Sequence, residues 1–313
     1  MLAILATTFP FFALVLCGYI AVLKHMLPQA TIAGMNSFVL YFALPCLLYR
    51  FGATTPLAQL LDPGVFGVYL LSALLCVAIV VAVSLSCRPA DWNNAAFGAL
   101  VAAFPNTGFM GVPLLVALLG PRSSGPVIVT LVVDLLVTTS LCIALSRFGQ
   151  GGSGAALRQA LAGMARNPMP WAIALGGLAS ALALDLPGPV MRTVGLLADA
   201  ASPVALFSIG AVLARSHMQA SAATPLAGAL PVALAKLLLH PLLMAAVGHA
   251  AIAAGVALDP FALRVLILVA CLPSASNVVL LAERFGADTG RIALIILLST
   301  ALSFLTFSAA VTF

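Results

Sequence analysis

The fold of this chain is decided at a helix break, within the stretch Ala103-Phe-Pro-Asn-Thr-Gly-Phe-Met-Gly-Val-Pro113. A proline such as Pro105 inside a helix removes a hydrogen bond and clashes with the preceding turn, which costs about 3 kcal/mol. Gly108 weakens the same helix further. Backbone groups freed in hydrocarbon survive only inside the protein or along a water-filled cavity. The stretch therefore predicts a membrane helix that breaks near the bilayer midplane, where Asn106 and Thr107 satisfy some of the freed groups.

The composition around this stretch is that of a membrane protein. Of 313 residues, 63% are hydrophobic and 7% are charged, whereas a soluble domain is about half apolar and a quarter charged. No soluble core absorbs this much apolar surface, which excludes a soluble enzyme and a disordered chain. The net charge of +5 comes from scattered residues without a basic run, so nucleic acid is not an expected partner. We predict a polytopic protein embedded in a lipid bilayer.

Apolar runs bounded by Gly, Pro and charged residues predict ten membrane spans, because a spanning helix needs about 20 mostly apolar residues. The runs are continuous and rich in Leu and Ala, which favours helices over strands. The predicted spans are residues 2–23, 33–50, 64–87, 94–119, 126–147, 169–186, 192–214, 225–253, 262–283 and 290–312.

The distribution of basic residues predicts the orientation of these spans. No basic residue precedes the first apolar run, and Lys24 and His25 follow it, which is the reverse of a secretory signal. With the N-terminus outside, eight of the 13 Lys and Arg residues fall inside, four fall outside, and Lys236 lies within a span. The positive-inside rule therefore favours a multi-pass protein with both termini outside.

An internal repeat is predicted by the two halves of the chain. A Gly-rich cytoplasmic linker, residues 149–165, separates residues 1–148 from residues 166–313, and each half holds five predicted spans. The second span contains Ala43-Leu-Pro-Cys-Leu-Leu-Tyr-Arg-Phe-Gly-Ala53, and the seventh contains Ala201-Ser-Pro-Val-Ala-Leu-Phe-Ser-Ile-Gly-Ala211, with five identical positions of 11. Because five is odd, the second half enters from the opposite side. Inverted repeats of this kind are typical of secondary transporters.

The ninth span carries a second break, at Pro273-Ser-Ala-Ser-Asn277, which corresponds to the break in the fourth span. We expect the two breaks to face each other and to present half-helix N-termini, whose free N–H groups and positive dipole ends favour an anion. The alternative is a pair of ordinary proline-kinked helices packed through small residues. The predicted substrate-binding residues are Pro105, Asn106, Thr107, Gly108, Pro273, Ser274, Ser276, Asn277 and Asn36. Asn36 could reach this site or cap its own helix.

Lys236, Asp134 and His240 lie well inside predicted spans, where a charge costs about 2.5–3.5 kcal/mol on insertion scales. Lys236 could attract a carboxylate or neutralise an internal acid, and it could equally snorkel to the membrane surface or serve as a structural partner. Asp134 could carry a proton, or pair with Lys236 or a helix-end carbonyl. His240 lies four residues after Lys236 on the same helical face, and is either part of a proton relay or a satisfied buried histidine. All three are candidates for coupling or charge balance.

Motifs of hydrolases, metalloproteases and phosphate-binding loops do not occur in the sequence, so we expect neither an enzyme nor a bound metal or cofactor. The broken spans contain no Asp or Glu in residues 95–119 or 262–282. Sodium sites usually need oxygen ligands with some negative charge, and this weakens the case for sodium coupling.

Several motifs resemble the auxin efflux carrier family, and among its bacterial members those called malonate transporters. They are Asn106-Thr-Gly-Phe-Met-Gly-Val-Pro113, Ala43-Leu-Pro45, Ser202-Pro203 with Phe207-Ser-Ile-Gly210, Lys236-Leu with Pro241, and Leu272-Pro273 with Ala282-Glu-Arg-Phe-Gly286. The resemblance implies ten helices in two inverted five-helix repeats, with the fourth and ninth crossing at their breaks. It also implies organic-anion transport, with Pro105, Asn106, Pro273, Ser274 and Asn277 at the crossover. The central loop of this chain, the linker 149–165, is shorter than that of plant members of the family. Homodimers are common in the architecture that the resemblance implies.

The resulting interpretation is a secondary transporter of small carboxylate anions, malonate-like or auxin-like, in a bacterial inner membrane with periplasmic termini. Helices of one group would rock against the others in alternating access. Two rival interpretations stay open, namely a sodium-coupled symporter of a bulkier organic anion and a membrane sensor that does not transport.

Overall fold

The computed structural model of the protein describes residues 2–55, 62–88, 90–148, 158, 168–219 and 226–312. Within these ranges the regular secondary structure is helical, and a single isolated β-bridge joins Pro105 and Ser274. The prediction of an all-α protein is therefore confirmed. Of the predicted linker, residues 149–157 and 159–165 lie outside the described part of the chain.

Helices occupy each of the ten predicted apolar runs. Non-helical residues interrupt the fourth and ninth runs, whereas a π-helical turn joins the two α-helices of the second, fifth and eighth runs. In chain order the α-helices are α1 (Leu2–Leu23), α2 (Thr31–Phe38), α3 (Leu44–Thr54), α4 (Pro63–Cys87), α5 (Trp92–Ala103), α6 (Val112–Leu119), α7 (Ser124–Val133), α8 (Thr139–Ser146), α9 (Pro168–Ala181), α10 (Gly188–Gln219), α11 (Leu226–Leu234), α12 (His240–Ala253), α13 (Pro260–Ala270), α14 (Val278–Arg284) and α15 (Thr289–Val311).

Six helical segments of the described chain are long and apolar enough to cross a membrane. They are Thr31–Thr54, Pro63–Cys87, Pro121–Ser146, Gly188–Arg215, Leu226–Ala253 and Thr289–Val311. Shorter apolar helices cover Phe12–Leu23, Thr107–Leu119 and Pro260–Ala270. Because a single such segment already matches the thickness of the hydrocarbon layer, these helices identify a multi-pass membrane protein.

In the described part of the chain, four helical segments contain a π-helical turn, at Val39–Ala43, Thr107–Gly111, Asp134–Thr138 and Ala235–Leu239. Three of these turns end two residues before a proline, namely Pro45, Pro113 and Pro241. A proline in a helix clashes with the carbonyl group four residues earlier, and here that carbonyl lies in the widened turn. The proline thus accounts for three of the turns. The fourth, Asp134–Thr138, has no proline after it.

The helices form two compact units. Unit 1 comprises Met1–Asp62, Gly108–Val129 and Arg166–Met218, and unit 2 comprises Pro63–Thr107, Thr130–Ala165 and Gln219–Phe313. Each unit therefore draws its residues from both halves of the sequence.

In unit 1, α1 and α10 touch through two glycines. A Cβ atom at Gly18 would lie 1.9 Å from the carbonyl oxygen of Phe207, and one at Gly210 would lie 1.8 Å from the carbonyl oxygen of Val15. Real Cβ atoms do not approach backbone so closely, so both positions require glycine. Small residues let membrane helices meet backbone to backbone, where dispersion contacts are most numerous.

A second pair of helices in unit 1, α3 and α9, meets in the same way. A Cβ atom at Gly176 would lie 2.4 Å from the carbonyl oxygen of Tyr49, and one at Gly52 would lie 3.0 Å from the carbonyl oxygen of Ile173. Both glycines again lie where the two backbones cross.

Polar side chains also join the Thr31–Thr54 segment to α10 within unit 1. The Ser208 hydroxyl donates to the amide oxygen of Asn36, and Arg50 forms an ion pair of 2.8 Å with Asp199. Since Asn36 precedes Arg50 whereas Ser208 follows Asp199, the two segments run antiparallel.

Unit 2 is organised around a helix without a polar face. Every residue of α5 from Ala95 to Ala103 is buried, and the helix packs against α4 and α8. A helix that is apolar all round is surrounded by protein or lipid, and here protein covers it. In α13 the residues from Val265 to Ala270 are nearly all buried as well. The two buried helices α5 and α13 lead directly into the two breaks.

Candidate functional site

The two breaks meet in unit 2. The Asn106 N–H donates to the Pro273 carbonyl at 2.8 Å, and the Ala275 N–H donates to the Phe104 carbonyl at 2.9 Å. The exchange forms the antiparallel bridge between Pro105 and Ser274. Each chain segment satisfies backbone groups that the other lost at its proline, so two breaks in contact cost less than two breaks apart.

We call the residues of this crossing, 104–107 and 272–277, the crossover. Its polar side chains are small and neutral. Asn106, Thr107 and Ser274 are buried, and Ser276 and Asn277 are partly buried. The structure thus brings together most of the predicted substrate-binding residues in unit 2, namely Pro105, Asn106, Thr107, Pro273, Ser274, Ser276 and Asn277.

The helices that follow the breaks are irregular or short. The chain resumes after the first break in the π turn Thr107–Gly111, and after the second in α14, which is seven residues long. Asn277 occupies the N-cap position of α14, but its side chain makes no capping hydrogen bond. Its amide is therefore not used by its own helix. A short helix aligns few peptide dipoles, so the N-terminus of α14 is a weaker attraction for an anion than the sequence suggested.

Two predicted site residues belong to unit 1. Asn36 accepts its hydrogen bond from Ser208 of α10, so its amide oxygen is occupied within that unit. Gly108 follows Thr107 in the π turn and begins the central segment of unit 1.

Ser299 of α15 supports the crossover and was not identified from the sequence. Its hydroxyl oxygen accepts from the Ser274 N–H at 3.2 Å and lies 3.1 Å from the Ser274 hydroxyl oxygen. Ser299 is fully buried. The available signal was a serine inside an apolar run, but serines are common there because their hydroxyl can bond to the preceding turn.

Lys236 reaches the end of the helix that leads into the second break. Its ammonium group donates to the Ala270 carbonyl oxygen at 2.6 Å, and its Nζ lies 3.3 Å from His240 Nδ1. Ala270 is the last residue of α13, where unpaired carbonyl groups and the helix dipole favour a cation. Lys236 and His240 have no solvent exposure.

Asp134 lies in the same unit and is held by two hydroxyl groups. The Tyr69 hydroxyl donates to Asp134 Oδ2 at 2.6 Å, and the Thr138 hydroxyl donates to Oδ1 at 3.1 Å. All three side chains are buried. Asp134 and Lys236 interact electrostatically, but each makes its hydrogen bonds to other groups, so the direct pair considered from the sequence does not form. Tyr69 was not identified from the sequence.

Tyr69 and His240 connect the two ionisable groups. Their ring centroids are 6.2 Å apart and the rings are tilted by 56°. We call Tyr69, Asp134, Thr138, Lys236 and His240 the buried polar cluster. His240 Nε2 is buried and has no hydrogen-bond partner among the described atoms. No three His, Cys, Asp or Glu side chains converge within the described ranges, so we assign no metal ligands.

Comparison with known proteins places the chain in a family. The family model described as "Membrane transport protein" matches residues 3–153 and 153–311. A protein of Rhizobium meliloti (strain 1021) named "Putative malonate transporter" is 29% identical over 298 residues, covering 94% of this chain and 90% of that protein. "Uncharacterized transporter YfdV" of Escherichia coli (strain K12) is 26% identical over 295 residues, covering 90% and 88%.

A third relative, an "Uncharacterized transporter" of Methanothermobacter thermautotrophicus, is 25% identical over 291 residues and covers 93% of this chain and 91% of that protein. These relatives align over nearly their whole length, and the family model matches nearly the whole of this chain. With its apolar helices and its crossover, the chain therefore belongs to the membrane transport protein family, which is the auxin efflux carrier family that its motifs resemble.

Proposed function

We propose that the protein is a secondary transporter that moves small carboxylate anions across a bacterial inner membrane by alternating access. The observation that carries this proposal is the crossover, where two broken helices meet and present neutral hydrogen-bond donors with no acidic side chain. Such irregular backbone at membrane depth is typical of substrate sites in secondary transporters. The relatives are named as transporters, which supports a transporter rather than an enzyme.

An inverted repeat of residues 1–148 and 166–313, joined by the linker 149–165, is part of this proposal. The glycine contacts of unit 1 support it, because one offset of 158 residues relates the α1–α10 contact to the α3–α9 contact. It is also the offset between Ala43 and Ala201 in the sequence motif. The residues related by it are Val15 and Ile173, Gly18 and Gly176, Tyr49 and Phe207, and Gly52 and Gly210.

The antiparallel course of the Thr31–Thr54 segment and α10 also supports inversion. Related helices of an inverted repeat must run in opposite directions. Ten spans with both termini in the periplasm follow from this arrangement and from the positive-inside rule. A homodimer is compatible with this arrangement. Measuring the mass of the purified protein in detergent would decide the oligomeric state.

The crossover chemistry favours an anion of modest size. The side-chain amides of Asn106 and Asn277 and the hydroxyls of Thr107 and Ser276 can donate to carboxylate oxygens. Lys236 places a positive charge at the end of α13, beside the crossover, and can balance the charge of a bound anion. The name of the Rhizobium meliloti relative makes malonate the first substrate to test.

Replacement of Asn106 tests the site. A hydrogen bond to a charged group contributes about 1.5–3 kcal/mol, so Asn106→Ala should weaken malonate binding roughly tenfold or more. Binding and counterflow in proteoliposomes would be measured beside thermal unfolding, which should change little because only the backbone of Asn106 bonds to Pro273. Asn36→Ala is the matched variant in unit 1, because it removes an amide of the same size. Weaker malonate binding by this variant would show that Asn36 belongs to the site.

Unchanged binding by the folded Asn106→Ala protein would contradict the proposed site. The same assay separates the rival functions. Uptake that requires a sodium gradient would point to the sodium-coupled symporter. Specific carboxylate binding without any flux would point to the membrane sensor.

A further inference from the structure

We propose that Asp134 is the proton carrier of this transporter, and that the Tyr69 and Thr138 hydroxyls hold it in both its charged and its neutral form. The inference rests on the proposed function and deepens it. It links uptake of one proton at Asp134 to binding of a carboxylate anion at the crossover.

The partners of Asp134 permit a change of charge. Both carboxylate oxygens accept from hydroxyl groups, at 2.6 Å from Tyr69 and 3.1 Å from Thr138. A hydroxyl group can donate or accept, whereas an ammonium or guanidinium group can only donate. A protonated Asp134 can therefore donate to the oxygen of a hydroxyl that previously donated to it. The hydrogen-bonded contacts survive in either state.

Asp199 in unit 1 shows the opposite arrangement. Its carboxylate pairs with the Arg50 guanidinium at 2.8 Å, and its side chain is 70% exposed. A guanidinium has no acceptor to offer a protonated acid, so this partner favours only the charged carboxylate. Asp134 combines complete burial with reversible partners, and Asp199 has neither.

The other ionisable members of the buried polar cluster have partners that each favour one charge state. Lys236 donates to the Ala270 carbonyl at the end of α13, a position that favours a cation. Because an ammonium group has no acceptor, His240 Nδ1 must accept in the contact with Lys236, which leaves the proton on Nε2. Protonation of His240 would break this contact and place two positive charges together. Asp134 is thus the acid of the cluster whose partners suit both of its charge states.

The titratable groups around Asp134 come from three elements. Tyr69 and Cys76 face it from α4, Cys142 from α8, and Lys236 from the π turn Ala235–Leu239. The Lys236 ammonium is the one cation in this set. When Asp134 is charged, the net charge of the Asp134 and Lys236 side chains together is zero. When Asp134 is protonated, their net charge is +1, which favours an anion at the nearby crossover.

The backbone at Asp134 supports a functional role. Its π turn, Asp134–Thr138, is the one described π turn that no proline follows. The turn is stabilised by the Thr139 hydroxyl, which donates to the Asp134 carbonyl at 2.7 Å. Such insertions into regular helices occur frequently at functional sites.

Infrared difference spectroscopy of the purified protein across pH tests the protonation directly and needs no substrate. We expect a carbonyl band of a protonated carboxylic acid that persists to higher pH than the bands of exposed acids. The band should disappear in Asp134→Asn, shift in Tyr69→Phe, and be unchanged in the controls Asp199→Asn and Tyr41→Phe. If the band is absent from the wild type, or persists in Asp134→Asn, the inference is overturned.

Transport assays with radiolabelled malonate and a carboxylate panel test the linkage. Wild-type protein should bind malonate more weakly as pH rises, by about tenfold, and should accumulate it when a pH gradient is imposed. Asp134→Asn should lose gradient-driven uptake and the pH dependence of binding, yet retain counterflow without a gradient. Asp199→Asn should behave as wild type. Gradient-driven uptake in Asp134→Asn would overturn the proton-carrier assignment.

The failure of the proposed function would look different. If wild-type protein neither binds nor exchanges any carboxylate, the transporter proposal fails, and the linkage that rests on it fails with it. If Asp134→Asn does not fold, Tyr69→Phe keeps the test sharp, because it preserves the acid and should still alter both the infrared band and the pH profile. A Tyr69→Phe protein with wild-type band and profile would contradict the role of Tyr69.

Discussion

The two compact units hold their helices together by opposite means. In unit 1 two helix crossings bring backbone against backbone at glycines, so that not even a methyl group fits. In unit 2 the breaks meet through exchanged backbone hydrogen bonds and are supported by a serine, and the same unit buries a lysine and an aspartate. Helices that meet backbone to backbone can pack in only one arrangement, because any displacement of one helix opens a void between them. Hydrogen-bonding groups can exchange partners, as the alternating access proposed for this protein requires.

The largest expected effect is on the stability of unit 1. Gly210→Ala would put a Cβ atom 1.8 Å from the Val15 carbonyl oxygen, and the two helices must separate to admit it. Overpacking against backbone should destabilise the protein by about 3 kcal/mol, measured as loss of folded protein and a lower temperature of unfolding in detergent.

Gly195→Ala is the matched control for this change. Gly195 lies in the same helix, α10, and a Cβ atom added there would meet no other atom within 4 Å. Alanine favours helix over glycine by about 0.5–1 kcal/mol, so this variant should unfold at the same or a slightly higher temperature. Equal unfolding temperatures of the Gly210→Ala and Gly195→Ala proteins would contradict the backbone-to-backbone contact between α1 and α10.

An intermediate effect is expected at the support of the crossover. Ser299→Ala would leave the buried Ser274 N–H without its partner, which should cost about 1.5 kcal/mol. Because Ser274 belongs to the crossover, malonate binding should weaken as well. Ser303→Ala is the control, since the Ser303 hydroxyl donates to Thr300 of its own helix. If both serines behave alike in unfolding and binding assays, Ser299 has no special role.

The smallest effect is expected at the ion pair of unit 1. Arg50 and Asp199 are both partly or largely exposed, and exposed ion pairs contribute only about 0.5 kcal/mol. Asp199→Asn should therefore change the unfolding temperature slightly and leave the pH dependence of transport intact. A loss of pH dependence in this variant would remove the contrast between Asp199 and the buried Asp134.

The breaks were predictable because proline chemistry is local. Pro105 and Pro273 each lack an N–H and clash with the preceding turn, and the helices end at the expected positions. The continuous helix through Pro203 shows the limit of this reasoning. A single proline is tolerated when the rest of the helix remains packed, and the sequence does not state whether it will be.

The partners of the buried polar groups were not predictable. Tyr69 and Asp134 are 65 positions apart, and Ser274 and Ser299 are 25 apart. Their pairing depends on how the helices are rotated and packed, which the apolar periodicity of an almost uniformly apolar helix does not encode. For the same reason the sequence left a direct Asp134–Lys236 pair open as one of several alternatives, whereas each residue forms its hydrogen bonds with neutral partners.

The sequence by itself determined that the chain lies in a membrane, that it is helical, and where two of its helices break, because these properties follow from composition and from the backbone limits of proline. Only the tertiary structure decided that the two breaks exchange hydrogen bonds, that glycines set the crossings of unit 1, and that hydroxyl groups rather than a cation hold Asp134. Those outcomes depend on contacts between residues far apart in the chain, and each contact exists only once the helices have packed.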